Sequence, residues 1–274
     1  MSATSPEPLV RVRNLSKQYV QRRPFARAKF IIQALENVNL TIHRGATLAL
    51  VGESGAGKST LVRCLALLET PTHGEVWFEG VNLVTLGRKA RFLMRRQVQL
   101  IFQDPTSALN PSLTAGEIIA EPLVIQREGT KQQRRRRALD LMEQVGLPGK
   151  WECKLPLEFS GGQRQRLAIA RAMALEPTLL ILDEALSGLD LANQEMILRL
   201  LADLQAMRSL TCIHVAHDLR MVSDLADEVA VMHGGKIVEQ KRVAELFSHA
   251  EHPYTQDLLA AMPALDSICQ ERSA

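Results

Sequence analysis

The sequence predicts an α/β fold with a mainly parallel sheet, and two features of the chain support this assignment. Short apolar segments such as Thr47–Val51, Val98–Phe102 and Thr178–Leu182 alternate with longer amphipathic segments, as strands alternate with crossover helices. Thr211–Ala216 and Glu228–Met232 continue this series of strand candidates. These segments are mainly apolar and do not alternate with polar residues, which is typical of parallel strands whose two sheet faces are covered by helices.

The composition is that of a globular protein. The chain has 274 residues, 46% of them hydrophobic and 23% charged, which allows a substantial core and a small second subdomain. With 33 Lys and Arg against 30 Asp and Glu, the net charge is +3, so the charge indicates no nucleic-acid partner. Aromatic residues make up only 4%, which argues against an all-β sandwich and against a surface that stacks bases.

Cysteine spacing and hydropathy exclude two further classes. Cys64, Cys153, Cys212 and Cys269 are far apart, so we expect neither a zinc site nor a disulfide framework, and reduced thiols fit a cytoplasmic protein. We expect no secretory signal in Met1–Val10, and no membrane span, because no run of about 18 apolar residues occurs.

The middle of the chain, from about Pro105 to Leu157, shows helical periodicity, several prolines and no convincing strand, and we place the boundaries of this region at residues 104 and 163. We predict a helical subdomain there, inserted into an α/β core formed by residues 8–103 and 164–245, with a helical C-terminal extension over 246–274. The run Arg134–Arg137 lies in this subdomain. A solvated helix face is the favoured interpretation of the run, and a contact with phosphate or lipid is the alternative.

A glycine-rich loop joins the strand Thr47–Val51 to a helix predicted over Lys58–Leu68. It fits G-x-x-x-x-G-K-[ST], in which glycines let the backbone wrap around phosphates and the helix N-terminus adds positive potential. Lys58 should reach the β- and γ-phosphates, and the Ser59 hydroxyl should bind Mg²⁺. The sequence therefore predicts a nucleotide site. The residues assigned to it are Gly52, Glu53, Ser54, Gly55, Ala56, Gly57, Lys58, Ser59 and Thr60.

A second apolar segment, Leu179–Leu182, ends in two acidic residues. Asp183 and Glu184 follow at the carboxyl end of this predicted strand, where ligands bind in open α/β sheets. Asp183 is suited to holding Mg²⁺, and Glu184 to polarising the water that attacks the γ-phosphate. Helix capping is the alternative role for two such acids, and the P-loop motif favours the catalytic one.

The segment Ser160–Gln163 combines a candidate N-cap serine with two glycines before a helix predicted over Arg164–Ala174. Amides at this helix start can bind phosphate, although an ordinary helix start is the alternative. With the two preceding motifs, the chain resembles the ATP-binding cassette (ABC) family, whose signature reads LSGGQ; here Phe159 replaces the leucine. The resemblance implies a P-loop NTPase (RecA-like) core and two subunits that sandwich two ATP molecules between P-loop and signature. The signature residues are Ser160, Gly161, Gly162 and Gln163.

The same resemblance assigns roles to four more residues. Tyr19 is similar to the aromatic residue that stacks on adenine, and Gln103 to the glutamine that binds Mg²⁺ and water. Asp190, in the D-loop-like Ser187–Asp190, is implied to act across the dimer interface, and His217 to contact the γ-phosphate. A structural role alone is expected for three other histidines, His214, His233 and His249.

A narrower likeness, to ATPase subunits of oligopeptide, dipeptide and nickel importers, depends on the segments Gln21–Ile31, Phe102–Pro111 and His252–Leu259. It implies a peripheral subunit on the cytoplasmic face of a bacterial inner membrane that hydrolyses ATP to drive uptake of peptides, nickel or a metal chelate. Its implied partners are permease subunits, a second ABC ATPase (identical or paralogous) and, indirectly, an external substrate-binding protein. Ala185 stands where many members have proline, and we expect activity to survive because Asp183 and Glu184 are retained.

Two alternatives stay open at this point. An exporter or lipid-extraction ATPase could use the same cassette, since only the insert and the tail favour import. A soluble ABC ATPase acting on nucleic acid or ribosomes is less compatible with the sequence, which has one set of motifs, no sustained heptads and a small charge excess. We therefore expect no nucleic-acid partner.

Overall fold

The computed structural model describes residues 8–22, 29–104, 108–216 and 225–261, whose strands form two sheets. In chain order the strands are β1 (Pro8–Arg22), β2 (Lys29–His43), β3 (Thr47–Val51), β4 (His73–Phe78), β5 (Val81–Asn82), β6 (Val98–Ile101), β7 (Leu179–Asp183), β8 (Thr211–Ala216), β9 (Glu228–His233) and β10 (Lys236–Arg242). One sheet has the order β10-β9-β3-β8-β7-β6, and the other has the order β2-β1-β4-β5.

The helices lie between and around these strands. In chain order they are α1 (Lys58–Leu65), α2 (Arg88–Met94), α3 (Ala115–Ile125), α4 (Lys131–Gln144), α5 (Gly161–Met173), α6 (Leu191–Arg208), α7 (Val243–Ser248) and α8 (Pro253–Ala260). Three single 3₁₀ turns occupy Leu83–Thr85, Gly149–Trp151 and Pro156–Glu158.

The six-stranded sheet is parallel except at one edge. Strands β6, β7, β8, β3 and β9 pair in parallel, and only β10 is antiparallel to its neighbour. Every residue of β3, β7 and β8 is buried. The predicted parallel sheet is therefore confirmed, and the ends of β3 and β7 that precede the P-loop and Glu184 lie at the same edge.

The four-stranded antiparallel sheet was not predicted. Helices were expected on both faces of the parallel sheet, but one face is covered by α1 together with β1, β2 and β4 in a shared apolar cluster. Bulges explain why β1 gave no strand signal: the register shifts between Val12 and Leu15, so the buried residues Val10, Val12 and Leu15 do not keep a period of two.

The middle of the chain is helical, as predicted, and its described residues 108–158 contain no strand. Helices α3, α4 and α5 bury one common apolar cluster, which includes Ile118, Met142 and Ile169. α3 and α4 each begin with a capping box, formed by Thr114 and by Thr130. The subdomain boundary drawn at residue 163 falls within α5, and the division of the chain into domains stays a prediction.

The run Arg134–Arg137 lies on α4 and contacts acidic residues of the chain itself. Arg135 pairs with Glu152, with 2.6 Å between Nη2 and Oε1, and Arg137 pairs with Glu176 at 2.7 Å. These ion pairs favour the interpretation as a solvated helix face over a phosphate or lipid contact.

Candidate nucleotide-binding site

The P-loop follows β3 and ends where α1 begins at Lys58. Gly57 caps this helix with φ of 104°, and a Cβ atom there would lie 2.5 Å from the carbonyl oxygen of Ala34. At Gly52, with φ of 151°, a Cβ atom would lie 2.1 Å from the carbonyl oxygen of Met232. Only glycine fits these two positions, so the loop can turn tightly and bring the free amides of α1 to the sheet edge.

Lys58 is buried inside the loop, with 4% of its surface exposed. Its Nζ donates hydrogen bonds to the carbonyl oxygens of Gly52 at 2.6 Å and Glu53 at 2.9 Å. Burial lowers the pKa of Lys58, and the nearby carboxylates of Glu184 and Asp183 oppose that shift. A polyphosphate would offer this ammonium stronger, charged acceptors than the two carbonyl groups.

Ser59 and Asp183 meet at the same edge. The Ser59 hydroxyl donates a hydrogen bond of 3.1 Å to Oδ1 of Asp183, which is 5% exposed. Burial raises the pKa of Asp183, and the bond from Ser59 opposes the shift. A hydroxyl and a carboxylate are oxygen ligands that fit Mg²⁺, an ion usually held by one or two protein ligands together with water and phosphate oxygens. The described part of the chain contains no cluster of three or more His, Cys, Asp or Glu side chains that could hold a metal.

Glu184 follows β7 in a strained but well-supported turn. Its φ of 50° lies in the left-handed region, which is costly for any residue except glycine. The Glu184 amide donates to the carbonyl of Val215 at 3.2 Å, and its carbonyl accepts from the Ser187 hydroxyl at 2.7 Å. These bonds hold the half-buried Glu184 beside Asp183 and within electrostatic range of Lys58.

The signature segment forms the N-terminus of α5. Ser160 is the N-cap: its amide donates to Oε1 of Gln163 at 3.0 Å, and the Gln163 amide donates back to the Ser160 hydroxyl at 3.4 Å. The N-cap prediction is confirmed, but the helix begins at Gly161, three residues before the predicted start at Arg164. The capping box explains the difference, because it holds both glycines in the first helical turn.

Asp190 caps α6 rather than projecting freely. Its carboxylate accepts hydrogen bonds from the amide of Asn193 at 2.9 Å and from Nδ2 of the same residue at 2.7 Å. The bond from the Asn193 amide lowers the pKa of this exposed carboxyl. A role for Asp190 across a dimer interface stays a prediction.

Tyr19 lies on β1, beside the start of α1. Its hydroxyl donates a short hydrogen bond to Glu69, and Nζ of Lys17 lies 5.1 Å from the centre of its ring. Burial raises the pKa of Tyr19, Glu69 raises it further, and a hydrogen bond with Thr60 opposes the rise. These contacts hold the ring near the P-loop helix, and stacking on adenine stays a prediction.

Two predicted residues have no observed role here. Gln103 is exposed two residues after β6, at the entry to the helical region. His217 lies outside the described residues, so its contact with a γ-phosphate stays a prediction, as does the role of Gln103.

One contact of the P-loop was missed. The hydroxyl of Tyr254 accepts a hydrogen bond of 3.1 Å from the amide of Glu53. Tyr254 lies in the segment His252–Leu259, which the sequence analysis links to peptide and nickel importers but not to the nucleotide site.

Comparison with known proteins agrees with this geometry. A family described as ABC transporter matches residues 35–187. The chain is 42% identical over 264 residues to the dipeptide transport ATP-binding protein DppF of Escherichia coli, covering 96% of this chain and 79% of that protein. It is 45% identical over 259 residues to the probable peptide ABC transporter ATP-binding protein y4tS of Sinorhizobium fredii, covering 94% and 73%.

Solved structures match as well. The ATP-binding cassette MJ0796, solved as a dimer in a post-hydrolysis state with ADP and Pi, has a TM-score of 0.76 and 31% identity, over 85% of this chain and 98% of that chain. CbiO1 of Clostridium perfringens, part of the ABC transporter complex CbiONQ, has a TM-score of 0.76 and 26% identity, over 97% and 99%. No helix in the described ranges is both long and apolar enough to cross a membrane. The P-loop NTPase fold predicted from the sequence is thereby confirmed, and the chain belongs to the ABC transporter family as one of its ATP-binding ATPase subunits.

Proposed function

We propose that the chain is the ATPase subunit of a bacterial importer of peptides and lies on the cytoplasmic face of the inner membrane. Transport by this subunit requires separate permease subunits, and a substrate-binding protein outside the membrane delivers the cargo. The names of DppF and y4tS support peptides as the cargo. Nickel or a metal chelate, the other cargo expected from the sequence, and export are alternatives that the experiment below distinguishes.

The hydrogen bond from the half-buried Ser59 to the buried Asp183, next to the buried Lys58, is the observation that carries the hydrolytic part of the proposal. Lys58 exchanges the carbonyl groups of Gly52 and Glu53 for phosphate oxygens of ATP. Ser59 and Asp183, assisted by Gln103, would hold Mg²⁺, which neutralises charge on the phosphates when bound. The P-loop amides from Gly52 to Thr60 orient the triphosphate, and Tyr19 stacks on the adenine.

Glu184 is the proposed residue that orients the attacking water. Two hydrogen bonds to its backbone hold the turn, which keeps Glu184 within electrostatic range of Lys58 and Asp183. From there its carboxylate would accept a proton from a water in line with the γ-phosphate. His217 is assigned a contact with the same phosphate.

A second ABC ATPase subunit, identical or paralogous, would complete the site. Ser160 and Gly161 are exposed at the N-terminus of α5, where amides can bind a phosphate presented by another subunit. Gln163 and Asp190 complete the surface that we assign to this contact, whereas Gly162 of the same segment is buried. ATP would draw the two subunits together, and hydrolysis would release them.

The substitution Glu184→Gln tests this function. We expect ATP binding to persist, turnover to fall by about 10²- to 10⁴-fold because the base is lost, and ATP-bound dimers to accumulate in gel filtration. In cells that carry the complete transporter, uptake of a labelled dipeptide should stop. The matched control is Glu195→Gln, because Glu195 is an exposed residue of α6 whose carboxylate pairs with Arg199 of the same helix.

Each other outcome contradicts a defined part of the proposal. Unchanged hydrolysis in Glu184→Gln removes Glu184 from its role. Loss of nickel uptake with normal dipeptide uptake contradicts the peptide assignment, and loss of efflux instead of uptake contradicts import.

A further inference from the structure

The C-terminal helices α7 and α8 cover the strand that leads into the P-loop. Ala49 and Val51 of β3 alternate with Leu48 and Leu50, so the two pairs point to opposite faces of the sheet. The first pair shares an apolar cluster with Leu246 of α7, and Tyr254, Leu258 and Leu259 of α8 pack against that cluster. Because Val51 directly precedes Gly52, α8 lies next to the start of the loop.

Tyr254 reaches the loop itself. Its hydroxyl accepts the hydrogen bond from the Glu53 amide at 3.1 Å, across 201 positions of sequence. Its ring also packs on the ring of His233, with 4.1 Å between the centroids and 32° between the planes. Burial raises the pKa of Tyr254, so the hydroxyl is neutral at physiological pH.

The turn between β9 and β10 supports the same loop. The amide of Gly235 donates to the carbonyl of Ala56 at 3.0 Å, and the carbonyl of Met232 lies against Gly52. Tyr254 and this turn therefore contact the P-loop from outside, while Lys58 bonds to it from inside.

A buried carboxylate determines where α8 begins. Glu239 on β10 accepts hydrogen bonds from the amides of Glu251 at 2.9 Å and His252 at 3.1 Å, and it pairs with Lys241 at 3.1 Å. Burial opposes ionisation of Glu239, but these bonds prevail and lower its pKa to about 2. Nδ1 of His252 then accepts from the amide of Tyr254 at 3.2 Å. Hydrogen bonds to Glu239 of β10 therefore fix the start of α8, and with it the position of Tyr254.

We propose that Tyr254 is a positioning residue of the nucleotide site, which holds the Glu53 amide and the first half of the P-loop in the phosphate-binding conformation. A loop held in this way loses less conformational freedom when ATP binds, so its affinity for ATP is higher. The inference rests on the nucleotide site proposed above. It gives the C-terminal extension a part in ATP binding, although no residue of the extension belongs to the P-loop or the signature.

The substitution Tyr254→Phe tests this role, because it removes the hydroxyl and keeps the ring. We expect the dissociation constant of the full chain for ATP, and the KM of the assembled transporter, to rise about three- to tenfold, as for loss of one hydrogen bond. The kcat at saturating ATP should stay within about twofold, and the melting temperature should change little. Equilibrium titration with ATP and hydrolysis at graded ATP concentrations measure these quantities.

The matched control is Leu259→Ala, which truncates a side chain that packs on the same apolar cluster. This variant should lower the melting temperature and leave the KM for ATP unchanged. An unchanged KM in Tyr254→Phe, or an equal rise in both variants, overturns the positioning role. Lys58→Ala in the same titration separates the two proposals: normal ATP binding there contradicts the nucleotide site, whereas a defect there with normal Tyr254→Phe contradicts only the role of Tyr254.

Discussion

The P-loop and the signature segment are both helix N-termini with glycines, yet the polar side chains assigned to the two sites differ in burial. Lys58 and Asp183 are 4% and 5% exposed, and they bond to the loop and to Ser59 within one chain. Ser160 and Gly161, by contrast, lie on the surface, and the hydrogen bonds of Ser160 go to its own helix. The first site is assembled inside the chain, whereas the second offers amides outward.

This difference matches the two functions that we propose, in which the P-loop site binds ATP within one chain and the signature segment contacts ATP bound to a second subunit. A site that must orient a triphosphate benefits from groups held in place before the ligand arrives. A surface that meets a second subunit must stay accessible, and it needs only a stable cap on its helix. Substitutions in the P-loop site and in the signature segment should therefore have separable effects, and the larger ones are expected in the P-loop site.

The substitution Lys58→Ala tests the P-loop site. It removes charge-assisted hydrogen bonds to the phosphates, each worth about 1.5–3 kcal/mol, so we expect ATP affinity to fall about 100-fold or more. Equilibrium titration with ATP measures the loss. The control is Lys89→Ala on α2, which removes an exposed lysine and should leave affinity unchanged. Normal affinity in Lys58→Ala would show that the buried site does not bind the nucleotide.

The substitution Asp183→Asn separates activity from stability in the P-loop site. Hydrolysis that depends on Mg²⁺ should fall at least about 100-fold, because an amide is a poorer ligand than a carboxylate. The melting temperature of the nucleotide-free protein should stay the same or rise, because the amide does not incur the cost of burying an ionised carboxylate. A relief of about 1 kcal/mol would raise the melting temperature by roughly 2–4 °C.

The sign of the pH effect follows from the raised pKa of Asp183. The folded state binds this proton more tightly than the unfolded chain, so stability declines as the pH rises from the ordinary value of 3.8 through the raised one. Glu239, whose pKa is lowered to about 2, contributes the opposite slope in both proteins, so the comparison between wild type and Asp183→Asn isolates Asp183. The melting temperature of the wild-type protein relative to that of Asp183→Asn should fall as the pH rises through this range, and a difference that stays constant or grows contradicts the assignment.

Substitutions at two neighbouring glycines test the signature segment. A Cβ atom on Gly162 would lie 2.5 Å from Oδ1 of Asn193, whereas on Gly161 its nearest neighbour would be Leu189, at 3.9 Å. Gly162→Ala should therefore lower the free energy of unfolding by about 1–3 kcal/mol, while Gly161→Ala should leave it nearly unchanged. Gly161→Ala should instead weaken ATP-dependent dimerisation. Denaturant unfolding and gel filtration with ATP measure the two effects, and equal stability loss in both variants would contradict the packing described here.

Much of the fold could be predicted where the signal is local. The strands Thr47–Val51 and Thr211–Ala216 have the predicted bounds, because an apolar run is a property of adjacent residues. The helix after the P-loop ends at Leu65 rather than Leu68, since Leu67 adopts φ of 60°. Strand β1 escaped prediction because its bulges break the alternation on which strand recognition depends.

The sequence by itself determined the chemistry of the nucleotide site, because glycines, a lysine and a serine at consecutive positions can fold into only a narrow set of phosphate-binding loops. It also determined the strand that ends at Asp183 and precedes Glu184. Only the tertiary structure decided that Tyr254 meets Glu53 across 201 positions, and that Ser59 and Asp183, both assigned to Mg²⁺ from the sequence, share a direct hydrogen bond across 124 positions. Contacts over such distances follow from the order of strands in a sheet and from packing on its faces. Strand order and packing produce no periodic pattern of residues that could be recognised in the sequence.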